Sequence, residues 1–380
     1  MTQRKLLFYT HGLTGGGAER VWALLASGFA ACGHEVIFAV DYASPENAAF
    51  LDPSIRVETL GRNHAQAIWH LSRLIVREKP DASLSALGVS NLKHFIGAAL
   101  AGRLQRAILS YHGYCESEPR FLSRLAYFLT PVTTRLCART ICVSDGLRTY
   151  VTRAFRADAK RTVRIYNPVL GGPVPTAHSK AEIGARDPLV LACGRMVPYK
   201  NFSMLVRAFA RGAPQRAQLV ILGEGPDRPN IEAEVVRCGL RDRVSLPGYM
   251  PQPWPYYARA TCFVSSSQSE SFGLAVVEAL AQGLPVIATD CDGPREVLQG
   301  GCYGTIVPLG DETALASGIA RALADPGDPA PRIERARAFS VETGVAEYEG
   351  LIEQILVEAE QGQGATPRRS RGSANTAVGT

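Results

Sequence analysis

No stretch of the sequence reaches the ~18 uninterrupted apolar residues that a helix needs to cross a bilayer. The nearest candidates, residues 21–31 and 274–288, are broken by glycine, proline or charge, so no membrane span is expected. Between the opening Met-Thr-Gln-Arg-Lys and His11-Gly12 there are only a few apolar residues, too few for the core of a secretory signal. The nine cysteines (32, 115, 137, 142, 193, 238, 262, 291 and 302) include no Cys-x-x-Cys pair. That scatter argues against a disulfide scaffold or a zinc knuckle. Reduced core cysteines and a cytoplasmic location are the expectation. Charged residues make up only 20% against 46% hydrophobic, far from the composition of chains too polar to fold.

What is present is length: 380 residues, against the ~100 to 200 of an ordinary domain. Two compact domains follow. The net charge of +6 is unevenly spread, with a balance of +9 over residues 1–167 and −3 over the remainder. A basic front half suits an anionic surface, either nucleic acid or phospholipid headgroups.

Apolar runs and helical periodicities alternate along both halves. In the first, strands are expected at residues 5–9, 34–40, 82–86, 107–110 and 140–143, with helices at 18–32, 67–78 and 93–101. Three prolines and two glycines within residues 166–175 discourage regular structure there. The alternation then restarts, with strands at 189–193, 218–222, 244–246, 262–265 and 285–289. Helices are expected near 201–210, 229–238, 274–282 and 312–324. Such alternation indicates parallel sheets covered on both faces. The organisation read from it is a first domain over 1–167, a linker at 168–175, a second domain over 176–335, a closing helix at 336–360 and a disordered tail at 361–380.

Three loops carry candidate chemistry. Gly15-Gly16-Gly17-Ala18-Glu19-Arg20 follows the first strand and opens a helix, where bare backbone N–H groups approach an anion. A tight turn with close helix packing is the plainer reading. As a dinucleotide fingerprint the match is poor, because Arg20 stands where the third glycine belongs, although Asp41 at the end of the second strand keeps that reading open. Arg195 and Lys200, with Pro198 between them, follow the first strand of the second half. There they could both reach one diphosphate. Glu270 precedes a helix and Glu278 lies inside it on an apolar face, so Glu278 needs a partner, either a cation or sugar hydroxyls. Asp290-Cys-Asp292 spells a metal-binding Asp-x-Asp, but Arg195 and Lys200 already supply the charge that a metal would bring.

These motifs in this order, Gly16-Gly17-Ala-Glu19-Arg20, Gly194-Arg195 with Lys200-Asn201, Gly223-Glu-Gly-Pro226, Glu270 and Glu278, and Gly293-Pro-Arg-Glu296, resemble glycosyltransferase family 4 over residues 5 to 357. The resemblance implies a GT-B fold: two facing Rossmann-like, doubly wound parallel-sheet domains with an interdomain cleft. It implies a retaining transfer from a nucleotide diphosphate sugar, most commonly a UDP-sugar, to an acceptor hydroxyl. Carried over, Arg195 and Lys200 bind the diphosphate, Glu278 the ribose and Glu270 the transferred sugar. The backbones of Phe272, Gly273 and Leu274 line the phosphate and sugar, Gly16 and Gly17 close over the diphosphate, and Tyr249 and Met250 border the base. His112 falls where relatives place a histidine near the transferred sugar. Asp292 departs from the pattern, since many relatives have glycine there. Neither a metal nor another cofactor is expected.

The acceptor side belongs to the first domain, where residues 91–164 hold 13 basic and 4 acidic residues. Cations alternate with bulky apolar groups over residues 120–129 and 135–139, a pattern suited to an anionic membrane surface and equally to an ordinary amphipathic helix. The expectation is peripheral attachment to the inner face of the cytoplasmic membrane, with a lipid-linked saccharide as acceptor in surface-polysaccharide assembly. Two alternatives stand beside it: an NAD(P)-dependent oxidoreductase built on the first loop and Asp41, and a basic nucleic-acid-binding protein. The second lacks a recognition module or stacking aromatics.

Overall fold

The structure, a computed structural model, describes residues 2–44, 46–117, 121–171 and 178–364, with side chains to residue 361. Residues 172–175 of the expected linker and 365–380 of the expected tail lie outside the described residues.

Two parallel sheets form the frame. The first contains β1 (Lys5–Thr10), β2 (Glu35–Val40), β3 (Arg56–Thr59), β4 (Ala82–Ala86), β5 (Ala107–Tyr111), β6 (Arg139–Cys142) and β7 (Thr162–Arg164), in the order β3-β2-β1-β4-β5-β6-β7. The second contains β8 (Leu189–Cys193), β9 (Gln218–Leu222), β10 (Val244–Gly248), β11 (Cys262–Ser265), β12 (Val286–Thr289) and β13 (Thr305–Val307), in the order β10-β9-β8-β11-β12-β13. All named pairings are parallel. Central strands such as β4 and β5 are buried along their whole length, as a parallel sheet covered on both faces requires.

Each order reverses direction once, between β1 and β4 in the first sheet and between β8 and β11 in the second. Loops leaving the carboxyl ends of strands beside such a switch point diverge and leave a crevice. The loops after β1, β8 and β11 are the three that the sequence singled out.

The domains are joined by two passes of chain. Val169 N–H donates to Phe339 O (2.8 Å), and Val341 N–H donates back to Leu170 O (3.0 Å). Around this crossing Tyr166, Phe272 and Phe339 form an aromatic cluster with centroids 5.4 to 5.8 Å apart. The expected closing helix is divided, with one helix at Ala330–Arg337 and a second at Val341–Gly364. The return pass at Phe339 requires the break between them. Val345, Tyr348, Leu351, Ile352 and Ile355 of the last helix are buried with Trp22 and Phe29 in the core of the first domain. The chain's end thus crosses back to pack on its beginning.

All nine cysteines are free, but Cys32 and Cys302 are exposed rather than in the core. Both stand at the carboxyl ends of helical segments. Among the described residues, no helix is long and apolar enough to cross a membrane.

Candidate active site between the domains

In the second domain the loop after β8 makes a 3-10 turn at Pro198–Lys200, and Asn201 follows in the left-handed region at φ 53°. Ser266 donates to Lys200 O (2.9 Å), and Gln268 N–H donates to Tyr199 O (2.7 Å). The loops after β8 and β11 are thereby fastened together. Lys200 Nζ forms an ion pair with Glu270 Oε2. Burial works against the ammonium, but the carboxylate outweighs it, and the lysine pKa stands above its ordinary value. Arg195 is exposed and makes no ion pair with a described residue. Its charge reaches Glu19 of the other domain, where, after Thr14 and the local backbone, it opposes the burial that raises that carboxyl's pKa.

The close approach of these loops depends on glycine. Gly223 has φ +131°, and a Cβ there would stand 2.0 Å from Gly194 O; one on Gly225 would stand 2.2 Å from Met196 O. The Gly223-Glu-Gly-Pro226 motif lets the loop after β9 pass directly under the loop that carries Arg195.

Gly273, at φ +96°, begins the helix Leu274–Ala281. Phe272 turns its ring into the aromatic cluster of the interdomain crossing, away from the loop that its backbone continues. Glu278 sits inside this helix with a side chain only 3% exposed, ion-paired to Arg20 of the first domain. Its second oxygen accepts a 2.7 Å hydrogen bond from Tyr257. Of the two partners the sequence left open for Glu278, the structure supplies the cation.

Facing this surface is the loop after β1. Gly16 precedes the helix Gly17–Ala31, and Thr14 donates to Glu19 Oε1 (2.8 Å). A Cβ on Gly17 would stand 2.5 Å from Leu274 Cδ1, and one on Gly15 would stand 3.6 Å from the Tyr249 ring. The glycine loop therefore rests directly on the second domain. Tyr249 is 44% exposed, while Met250 is half-buried against the core.

His112 follows β5. Its Nε2 shares a 3.0 Å hydrogen bond with Ser110, its ring packs edge-on to Trp22, and its carbonyl accepts from Ser271 of the other domain (2.7 Å). Burial pushes its pKa down to about 4, against a smaller opposing effect of Asn167. It is neutral at pH 7 and suited to hydrogen bonding rather than to carrying charge.

The departure at position 292 also acts between the domains. Tyr114 donates to Asp292 Oδ2 (2.7 Å), and Glu296 accepts the N–H groups of Asp145 (2.9 Å) and Gly146 (2.7 Å). Asp290 and Asp292 are both engaged by Arg295, at 2.6 and 3.5 Å. Among the described residues, no group of three or more His, Cys, Asp or Glu is gathered as metal ligands. Asp41 is fully buried, with one oxygen accepting from Tyr9 (2.8 Å) and the other held by His11 and Lys93. The ribose role that the dinucleotide alternative gave it has no solvent-facing oxygen to use.

Arg195, Lys200, Glu270, Phe272, Gly273, Leu274 and Glu278 thus gather on one wall, with Tyr249 and Met250 at its edge and Gly16, Gly17 and His112 across from them. The sequence motifs include Arg20 without marking a task for it, and nothing in them marks Tyr257 or Tyr114. No local pattern marks a tyrosine whose partner lies in another segment.

Two doubly wound domains whose glycine-bearing loops face each other make up a GT-B fold. The chain matches the family described as Glycosyltransferase Family 4 over residues 15–169 and that described as Glycosyl transferases group 1 over 174–339. It belongs to glycosyltransferase family 4 and is an enzyme of that class. It is 28% identical over 258 residues to the lipopolysaccharide core biosynthesis glycosyltransferase LpsE of Rhizobium meliloti, covering 67% of this chain and 68% of LpsE. Over 145 residues it is 32% identical to an N-acetylgalactosaminyltransferase of Campylobacter jejuni that is named for a diphospho-undecaprenol acceptor. That alignment covers 38% of this chain and 40% of the relative. The Anabaena protein HepE, crystallised with UDP, shares the fold at a TM-score of 0.75 and 19% identity, over 92% of this chain and all of that one.

Proposed function

We propose that this glycosyltransferase moves a sugar, with retention of anomeric configuration, from a nucleotide diphosphate sugar to a hydroxyl of a lipid-linked saccharide, in the assembly of a lipopolysaccharide or other cell-surface polysaccharide. The observation that carries the donor reading is the convergence of Arg195, Lys200 and Glu270 beside the β8/β11 switch point, opposite the glycine loop. As the bond between the sugar and the diphosphate breaks, one further negative charge develops on the departing diphosphate. Arg195, Lys200 and the N-terminal amides after Gly273 would neutralise it without a metal, while Glu270 orients the sugar. His112, neutral, would hydrogen-bond a sugar hydroxyl, and the departing phosphate oxygen would take the acceptor proton. A UDP donor is supported by HepE having been crystallised with UDP and UDP-glucose.

The acceptor reading is supported by the LpsE and Campylobacter likenesses and by one surface of the first domain. On the helix Phe121–Phe128 both terminal phenylalanines point outward, 77% and 64% exposed, while Ala126 and Tyr127 are buried. Val132 and Leu136 are exposed on the next helix, Thr130–Leu136, and Arg124 and Arg135 lie among them. Exposed aromatics ringed by arginine suit the inner, anionic leaflet of the cytoplasmic membrane. Arg120 of this motif lies outside the described residues, and Arg139 pairs with Glu358.

The test is hydrolysis of a panel of UDP-, GDP- and ADP-sugars by the wild type and by Arg195→Ala and Lys200→Ala. We expect one donor class to be turned over and each variant to lose about 100- to 1,000-fold while keeping the wild-type melting temperature. Near-normal turnover in both folded variants would remove the diphosphate assignment.

A further inference from the structure

Among the described residues gathered at the cleft, Arg20 is a cation that the proposed chemistry leaves without work, and it occupies the carboxylate that the ribose needs. Its guanidinium crosses from the first turn of the helix Gly17–Ala31 to Glu278 in the second domain. Glu278 Oε2 is already taken by Tyr257 at 2.7 Å, so both oxygens are engaged. Arg20 Nε is buried without a hydrogen-bond partner, so the guanidinium is only partly satisfied where it sits. Its charge is raised above its ordinary strength of protonation only because Glu278 outweighs the burial around it.

A ribose hydroxyl arriving at Glu278 must compete with that ion pair, and a buried guanidinium that loses its carboxylate needs another anion. The nucleotide brings one. Arg20 stands three residues after Gly17, on the first helical turn behind the loop expected to close over the diphosphate, and its planar fork matches phosphate oxygens. We propose that Arg20 is a donor-binding residue that changes partner: the ribose takes Glu278, and Arg20 passes to the diphosphate. After the exchange Arg20 is paired with the diphosphate charge and Glu278 accepts hydrogen bonds from the ribose and Tyr257, and this contact between the domains runs through the donor instead of directly from Arg20 to Glu278. This rests on the reading that Glu278 receives the ribose.

The exchange makes Arg20 a competitor for the nucleoside and a partner for its phosphates, and calorimetry with two probes separates these effects. The probes are a nucleoside and its 5′-diphosphate, taken from whichever of UDP, GDP and ADP binds the wild type most tightly. In Arg20→Met the nucleoside should bind as tightly as to wild type or more so, while the diphosphate should bind about 10-fold or more weaker. Arg20→Lys, which keeps the charge but not the fork, should fall between, and serves where Met disturbs folding. Equal weakening of both probes, or no change in either, would overturn the exchange and leave Arg20 a structural contact. Glu278→Gln tests the underlying reading separately. If it alters neither probe, or if no nucleotide binds wild type, the ribose site is wrong; if it weakens both while Arg20→Met behaves as wild type, only the exchange is wrong.

Discussion

His94 shows how far a single side chain can depart from its solution behaviour. It lies fully buried between two hydroxyls, Nδ1 to Ser85 at 2.9 Å and Nε2 to Ser83 at 2.8 Å, and burial pushes its pKa down to about 3. The unfolded chain, with an ordinary histidine pKa near 6.5, binds this proton first as pH falls, so the native state loses stability between pH 6.5 and about 3. We expect a loss of about 3 kcal/mol between pH 6.5 and 4 that is traceable to this residue. It should appear in denaturant midpoints of the wild type and diminish in His94→Gln. A wild type and variant with the same pH slope would refute it. The same scale explains what the sequence disclosed about the site. Arg195, Lys200, Glu270 and Glu278 were legible because each sits a few residues from a strand end or helix start that an apolar run marks. Arg20, Tyr257 and Tyr114 were not, since Arg20 meets a carboxylate 258 residues away and Tyr114 one 178 away.

At the level of elements, the buried central strands were readable to within a residue; β4 and β8 fall at the residues expected for them. Of the edge strands, β10 lies where it was expected, but β3, β7 and β13 were not read. β3 is Arg-Val-Glu-Thr and mostly exposed, while β7 and β13 have three residues each, too short for a period to show. The helix expected at 93–101 begins at Gly88, because Leu87 takes φ 77° and starts it without a side-chain cap. No capping residue announced that start. Loop crossings are set by glycine, and Gly223→Ala tests this. A methyl group there meets Gly194 O as well as an unfavourable φ, so the loop bearing Arg195 must shift. Roughly 1 to 3 kcal/mol of stability should go with it, together with weaker nucleotide binding. Unchanged affinity in a destabilised variant would mean that the crossing supports the fold but not the site.

For the whole molecule, polar groups between the domains lie on either side of the crossing chains. One is Arg20 with Glu278 and Tyr257; another is Tyr114 with Asp292, and Glu296 at the helix Asp145–Ala154. Two architectures of the same kind were visible in the alternation of runs, but the interface was not, since nothing in either half specifies which face the other will cover. The last helix, Val341–Gly364, ties the end of the chain to the core around Trp22. The account turns on a diphosphate held between these domains by fixed cations. A crystal structure of the protein soaked with the nucleoside diphosphate of its preferred donor tests that most directly. The account requires phosphate oxygens within hydrogen-bond distance of both Arg195 and Lys200, with the ribose at Glu278. A nucleotide bound elsewhere, with Lys200 still paired to Glu270 and Arg195 turned to solvent, would contradict it.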